Sequence, residues 1–560
     1  MSHRFMTWVS CFLGIVVIAG MVAYAIHPVD DGQKKPEPVT FSHPSGFYND
    51  AFYLEMKGNE NAIYYTLDSS EPTEDSMLYT DTLCVQDASL NENVYSAITD
   101  TSVWYDSAII EKNGKNMIRS YMVPDKPVDK ATVVRAVCID AFGNRSQVST
   151  AVYFVGFGEK KGYSGMNIMA ITTDPDNLFD SQKGIYVLGD SFKKALHNGV
   201  VSNSQNPVYK WPANYREKGQ EWEREALVHC FDCEGNLVFS EPCGIRIQGR
   251  STRSMMPKNL NIYARKEYGS AAFYTGDLFK HRYVLNRLNL FRASDNVMLK
   301  DYLINEMMEN DAVLKREMCP CVLFLNGEYW GVYWLASRFK PDYLNQKYGV
   351  KKSNIISIKT RVVEIGQAED INLYNDMVSF IADNDMRDPK LFERACEMID
   401  LQSFIDYFAV EIYIANTDWP NNNFQLWRSR NKASNIYSDG RWRWMLYDLD
   451  HAMGLSIVEQ DSVKRACMNP VFASLMRNED FYRLFIDRLL WLANEILTPE
   501  RVNAFIDAYE SDMAEAIEKK YQRFYGKYDM DKLFYARCEE VRQFFRLRQT
   551  YINNTYGGMK

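Results

Sequence analysis

The chain is poor in the residues that most hydrolytic and metal chemistries need. Only seven histidines occur in 560 residues, at scattered positions. There is no His-Glu-x-x-His, no Gly-x-Ser-x-Gly and no Gly-x-x-x-x-Gly-Lys-Ser/Thr, which sets aside the zincin, serine-hydrolase and P-loop signatures. No basic block is long enough to follow a duplex, and the net charge of −9 is spread along the chain; nucleic acid is therefore not an expected partner. Internal repeats and low-complexity tracts are also missing.

Cysteine is not scarce, but it is poorly arranged for zinc. Of eleven cysteines, Cys11 lies in an N-terminal apolar run, and the close pairs are Cys230-x-x-Cys233 and Cys319-Pro-Cys321. Both have half-site spacing, yet no histidine follows at finger distance. Buried free thiols are the expectation for most. Disulfides are permitted if the chain is exported.

What is present is a globular composition: 46% apolar and 24% charged residues, with length for two to four domains. Phe5 to Ile26 is an apolar run behind His3 and Arg4, with an A-x-A site at Ala23-Tyr24-Ala25. It reads as a signal peptide or, at about twenty residues, an uncleaved membrane anchor. Residues 1–26 are assigned to it and 27–38, polar and Pro-rich, to a linker. The rest is expected outside the cytoplasm, secreted or surface-anchored, touching membrane only through this segment.

From 39 to 156 short strands recur about every ten residues, among them Ala62–Leu67 and Thr132–Ile139, separated by turns such as Asp68-Ser69-Ser70-Glu71-Pro72. This predicts a β-sandwich with its own core, which could be removed without unfolding the remainder. Residues 163–470 mix strands and helices and give no barrel signal. Asn326-Gly327 is a two-residue hairpin turn between Val322–Leu325 and Tyr329–Leu335. Leu299, Leu303 and Met307 predict a helix over 296–310. Residues 471–560 are amphipathic helix, with Thr498-Pro499-Glu500 as one start. The fold class is thus multidomain: an all-β sandwich, then an α+β domain with a helical C-terminal part.

Chemistry concentrates in Asn416-Thr417-Asp418-Trp419-Pro420-Asn421-Asn422-Asn423 and in Trp444-Met445-Leu446-Tyr447-Asp448-Leu449-Asp450. An Asp is followed five residues on by an Asn, and later an apolar strand ends in Asp-x-Asp. Protein kinases place the acceptor-facing Asp, a metal Asn and a metal Asp in this order. Carboxylate and amide oxygens suit Mg²⁺. The plain alternative is that Asn and Asp favour loops and that Asp-x-Asp often closes a strand. A glycosidase pair is disfavoured, since alternate strand positions give no sugar-width gap.

Five segments in order resemble the spore coat protein H (CotH) kinase family: "GIRIQGRSTRSMMPKNLNIYARKE", "NVMLKDYLINEMM", "VLFLNGEYWGVYWLASRFKPDYLNQKYG", "NTDWPNNNFQLWR" and "RWRWMLYDLDHAMG". "VRQFFRLRQTYI" resembles its closing helix. The likeness spans roughly 165 to 555. The N-terminal part, with Tyr65-Thr66-Leu67-Asp68-x-Ser70-x-Pro72-Thr73, is similar to the Ig-like module of chitobiases.

The resemblances imply an Ig-like sandwich followed by an α+β atypical protein-kinase-like domain, and a kinase that transfers the ATP γ-phosphoryl group to Ser or Thr of a protein acceptor, with Mg²⁺ or Mn²⁺. It implies Asp418 as catalytic residue and Asn423 and Asp448 as metal ligands. Asp450 joins them if it points the same way along the strand; its other reading is a helix N-cap. Lys258 or Lys359 would meet the phosphates, with Gly249, Arg250 and Ser251 as a phosphate-facing turn. Glu306 is a candidate partner for the lysine, an exposed helical Glu being the commoner case. Asn259 and Ser337 or Arg338 depart from the family pattern. The module implies a spacer or contact with a surface glycan, though core packing is the commoner use of its aromatics. The rival overall reading is a catalytically silent surface binding or structural protein on the same fold.

Overall fold

Strict alternation of side chains builds the centre of the protein. The computed structural model describes residues 35–558 apart from 60, 104–120, 161, 201–209, 293–296, 309–312, 421 and 527. The apolar leader, Cys11 and most of the linker lie outside these residues. Among the described residues no helix is long and apolar enough to cross a membrane.

The strands Asn167–Thr172, Arg224–Phe231, Leu237–Gln248, Asn259–Tyr263, Arg287–Phe291, Met318–Leu325 and Glu328–Ala336 close into a barrel. The sequence reading of mixed strands without a barrel is corrected here. Closure is made by Asn167–Thr172, which pairs antiparallel with Arg224–Phe231 and parallel with Met318–Leu325. No local pattern reports a pairing across 150 residues. Met169, Ile171, Val228, Cys230, Cys243, Ile245, Leu260, Ile262, Leu288, Leu290, Cys321 and Leu323 share one core. Their neighbours Ile168, Ala170, Phe231, Val322, Phe324 and Trp334 belong to a second core shared with the helices. Period-2 alternation therefore separates a barrel interior from a helix-facing exterior. The interior is filled by side chains. Cys230, Cys243, Cys319 and Cys321 are buried free thiols, and burial raises the pKa of each.

The hairpin tip shows why its sequence signal is strong. Asn326 and Gly327 both have left-handed backbones, φ +49 and +83, as a two-residue type I′ turn requires. A Cβ on Gly327 would lie 2.6 Å from the carbonyl oxygen of Ala131. That approach matters, because Ala131 N–H donates to Gly327 O at 2.8 Å and Tyr329 N–H to Asp129 O at 2.9 Å.

The N-terminal module docks at this tip. Its five-stranded sheet includes Gly46–Tyr48, Ala62–Thr66, Thr132–Ile139 and Ser149–Val155. One face buries Leu54, Ile63, Val134, Ala136 and Tyr153 in a small core. The opposite face, Val133, Val152 and Phe154, joins the core that holds Phe231 and Phe324. Phe47 stacks on Phe154 at 4.7 Å and meets Phe231 edge-on at 5.3 Å. The module thus has a core of its own and also shares one with the barrel.

After the barrel, Val362–Ile365, Ile355–Lys359, Gln425–Ser429 and Arg443–Met445 form a four-stranded sheet in that order. Helices pack behind it. Leu401–Tyr413 is capped at its start by Asp400, whose carboxylate accepts from Ser403 N–H, and nearly all its residues are buried. Such a helix, buried on every side, belongs at the centre of a large core. Pro499–Tyr525 starts as read from sequence, with Thr498 Oγ1 accepting from Arg501 N–H at 3.3 Å. The helix expected over 296–310 is Lys300–Met307.

Candidate active site

Sheet register assembles the site. Lys359 pairs with Gln425, and Gln425 pairs with Met445. This row is one end of the four-stranded sheet. Beyond it lie Asn423, two residues before Gln425, and Asp448, three residues after Met445. The segment at Leu314 runs parallel to the last strand, bridging to Met445, with Leu314 N–H donating to Trp444 O at 3.3 Å and Leu446 N–H to Leu314 O at 2.8 Å. That carries Arg316 to the same end.

The loop after Leu401–Tyr413 holds Asp418. Glu411 Oε2 accepts from Asn416 Nδ2 at 2.9 Å, and Asn416 Oδ1 accepts from Asp418 N–H at 3.1 Å. Asn422 Nδ2 donates to Asp418 Oδ1 at 2.7 Å and Asn423 Nδ2 to Asp418 Oδ2 at 3.1 Å. Two amides thus fix the carboxylate plane, and each oxygen retains a lone pair for a further donor. Asn423 Nδ2 also reaches the carbonyl of Asp448 at 3.4 Å, so the two loops are joined.

Asn423 and Asp448 both have left-handed backbones, φ +55 and +65. Asn and Asp tolerate this conformation better than other non-glycine residues, and such residues concentrate at functional sites. The strand ends at Met445, so Asp448 and Asp450 are not successive residues on one strand face, as the alternation argument had it. Asp450 does not cap a helix either; the next short turn, Leu455–Ile457, begins from Gly454.

Asp448 is exposed, yet its pKa is raised, first by desolvation and then by Asp450, with Arg316 and Lys359 acting in the opposite direction. A small cleft lined by Arg316, Arg338, Lys359, Glu364 and Gln425 lies beside it. Asp301, in the first turn of Lys300–Met307, is raised too, by burial and by Asp450 and Asp448, and accepts from Leu449 N–H at 2.9 Å. Glu411, fully buried, is pushed up to about 8, chiefly by burial. Sequence reading missed Asp301 and Glu411 as members. A Lys-Asp pair opening a helix and a Glu seven residues before Asp418 are too common to single out.

The proposed lysines part company. Lys359 lies 4.9 Å from the Tyr447 ring centroid, and its pKa falls to about 8 through burial and the nearby Arg338 and Arg316, with Glu364 and Asp448 opposing. It belongs to the Asp448 surroundings. Lys258 is fully buried. Its Nζ donates to Arg253 O at 2.8 Å and sits 3.8 Å over the Tyr215 ring. The charges acting on it are Arg253, Arg292 and Arg216, and burial lowers its pKa strongly. The turn Gly249-Arg250-Ser251 belongs with it: Gly249 has φ +121, Gly249 O accepts from Arg253 Nε at 2.8 Å, and Arg250 O from Arg216 Nη1 at 3.4 Å. Arg292 links the two groups, since it acts on Lys258 and Asp450 acts on it. Glu306 pairs with Lys280 at 3.0 Å rather than with either lysine.

Among the described residues no group of three or more His, Cys, Asp or Glu side chains is placed to hold a metal ion alone. The donor set nonetheless fits Mg²⁺ bound through phosphates: a carboxylate open to the cleft and an amide next to it, all hard oxygen chemistry.

Comparison with protein families matches residues 245–552, more than half of the chain, to "CotH kinase protein", and residues 53–153 to "Fn3 associated". The second match falls within the N-terminal module expected at 39–156. A search of curated proteins found no match.

Proposed function

The chain belongs to the CotH kinase protein family, and on that premise we propose that it is a phosphotransferase acting outside the cytoplasm. The donor is ATP with Mg²⁺ or Mn²⁺, and the acceptor a Ser or Thr hydroxyl of a protein. The observation that carries this reading is the single row Lys359–Gln425–Met445, whose end sets a lysine, Asn423 and Asp448 around one cleft beside an oriented Asp418.

In this reading Asp418 accepts the hydroxyl proton as the oxygen attacks the γ-phosphorus. Its carboxylate is held by Asn422 and Asn423 before substrate arrives, which lowers the cost of reaching the reactive geometry. Lys359 faces the phosphates, and Asp448 and Asn423 hold the divalent ion, with Asp450 behind. That ion, when bound, spreads the charge developing on the phosphoryl oxygens. Lys258 and the Gly249–Ser251 turn support the fold beside the site. The module is a docking platform on the barrel, and a surface glycan remains a proposed partner through its exposed aromatics.

The alternative of a silent surface protein has one observation in its favour. Lys258, which matches the family's Pro-Lys, is spent on the Arg253 carbonyl and a tyrosine ring. Calorimetric titration of ATP with Mg²⁺ or Mn²⁺, beside transfer to a mixed protein acceptor, separates the two. Asp418→Asn is expected to bind nucleotide as wild type does and to lose roughly 100-fold or more in transfer. Wild-type protein that binds no nucleotide with either ion sinks the kinase reading.

A further inference from the structure

The barrel rim next to this site carries a row of arginines that the transfer reaction leaves unused. Ala336 pairs with Asn289 on one side and with Met318 on the other. Ser337 N–H continues that register, donating to Glu317 O at 2.9 Å. One residue further, the same register sets Arg338 between Arg287 and Arg316. Arg287 and Arg316 are both among the charges that act on Arg338. Neighbouring strands stand about 4.8 Å apart, so the row spans about 10 Å of backbone. It ends at Arg316, beside Lys359 and Asp448.

Like charges set directly opposite one another destabilise a sheet. Burial and its two neighbours depress Arg338 to about 9. The structural explanation would be stacking: Arg287 lies 4.8 Å from the Tyr263 ring centroid and Arg316 5.1 Å from that of Tyr447. Stacking leaves two facts unexplained. The buried Nε atoms of Arg287 and Arg316 have no hydrogen-bond partner among the described residues, a costly arrangement in a protein interior. Of the nearby carboxylates, Glu364 is held by Lys340 at 2.7 Å and Glu223 by Arg265 at 2.6 Å, while Asp301 and Asp448 act at the Arg316 end. Three planar forks in register, two of them with an unmet buried Nε, match oxyanions that take two parallel hydrogen bonds.

We propose that Arg287, Arg338 and Arg316 form a second phosphate-binding row, contiguous with the transfer site, that takes a phosphate group other than the one transferred. The inference rests on the kinase reading for its place beside the transfer site. Its ligand is a phosphate oxyanion, carried either by an acceptor already phosphorylated near the target hydroxyl or by an inorganic phosphate chain.

The test is calorimetry on the full chain and on Arg287→Gln and Arg338→Gln, with three probes: ATP·Mg²⁺, tripolyphosphate, and a phosphoserine peptide beside its unphosphorylated twin. Each variant is expected to bind tripolyphosphate or the phosphopeptide roughly tenfold more weakly, and ATP·Mg²⁺ as wild type does. A loss confined to the phosphopeptide assigns a primed acceptor; a loss confined to tripolyphosphate assigns a phosphate chain. The proposal is overturned if wild type binds neither probe, if the variants match wild type on both, or if ATP·Mg²⁺ weakens equally, since the row would then be part of the donor site. Wild type that binds the probes but not ATP·Mg²⁺ would end the kinase reading and leave the row standing. Should the glutamine variants not fold, Arg287→Lys and Arg338→Lys keep the charge and lose the planar fork, and the same weakening is expected of them.

Discussion

Arg548 Nη2 donates to the carbonyl oxygen of Ile412 at 2.7 Å, tying the last helix of the chain to the end of the helix that leads into Asp418. The guanidinium is fully buried and also reaches Tyr413 O at 2.9 Å, Val458 O and Gln460 O. A cation at a helix C-terminus is favoured by the dipole and by the unpaired carbonyls there. Removing it leaves four carbonyls with one donor fewer.

Arg548→Ala is therefore expected to destabilise the protein by about 3 kcal/mol or more. Arg548→Lys should recover only part, because an ammonium cannot span carbonyls on both sides. Urea unfolding of the two variants gives the comparison, and an alanine variant within about 0.5 kcal/mol of wild type would show that the clamp is decorative.

Glu411 sets a pH dependence. Its folded pKa of about 8 stands above the ordinary 4.5, so between these values the folded chain holds a proton that the unfolded chain has lost. Stability must fall as pH rises across that window, and the contribution of the neutral carboxyl is gone above about 8. Glu411→Gln mimics the protonated form and should flatten this slope. Melting temperatures from pH 5 to 9 for both proteins are the measurement; parallel curves would contradict it.

Asp450 raises the pKa of both Asp448 and Asp301, and Asp448 that of Asp301, which is a cost to the free protein. Asp448→Asn removes one charge from the group with Asp301 and Asp450. It should raise the melting temperature by about 2 °C while weakening nucleotide binding with Mg²⁺, the usual exchange of stability for function. A lower melting temperature, or unchanged nucleotide affinity, would count against the proposed role. Asp450→Asn, tested alongside, shows which of the two carries the metal.

Deleting residues 36–156 is expected to uncover Phe231, Phe324 and Tyr329, which pack against the module's outer face. A 157–560 protein should bind an apolar dye and melt several degrees lower than the whole chain. Equal melting temperatures would support the picture of an independent module.

Local grammar was readable from the residues alone. Asn326-Gly327 announced its turn because only left-handed residues close a two-residue hairpin. Thr498-Pro499 announced a helix start because the cap and the fixed proline φ act within one turn. The Asp418 and Asn423 spacing was legible as a motif, since loop residues a few positions apart stay together in any fold; Asp448, 25 residues beyond Asn423, is brought to them by the sheet. The barrel was not, because its closure depends on Asn167–Thr172 meeting Met318–Leu325 across a separation no window sees. Nor was the choice between Lys258 and Lys359. Both follow apolar or proline-bearing strand sequence, and only the sheet register through Gln425 carries one of them to Asp448 while the barrel buries the other. Arg287, Arg338 and Arg316 lie apart in sequence and became a row for the same reason: the charge of a residue is local, but its neighbours across a sheet are set by the pairing of whole strands.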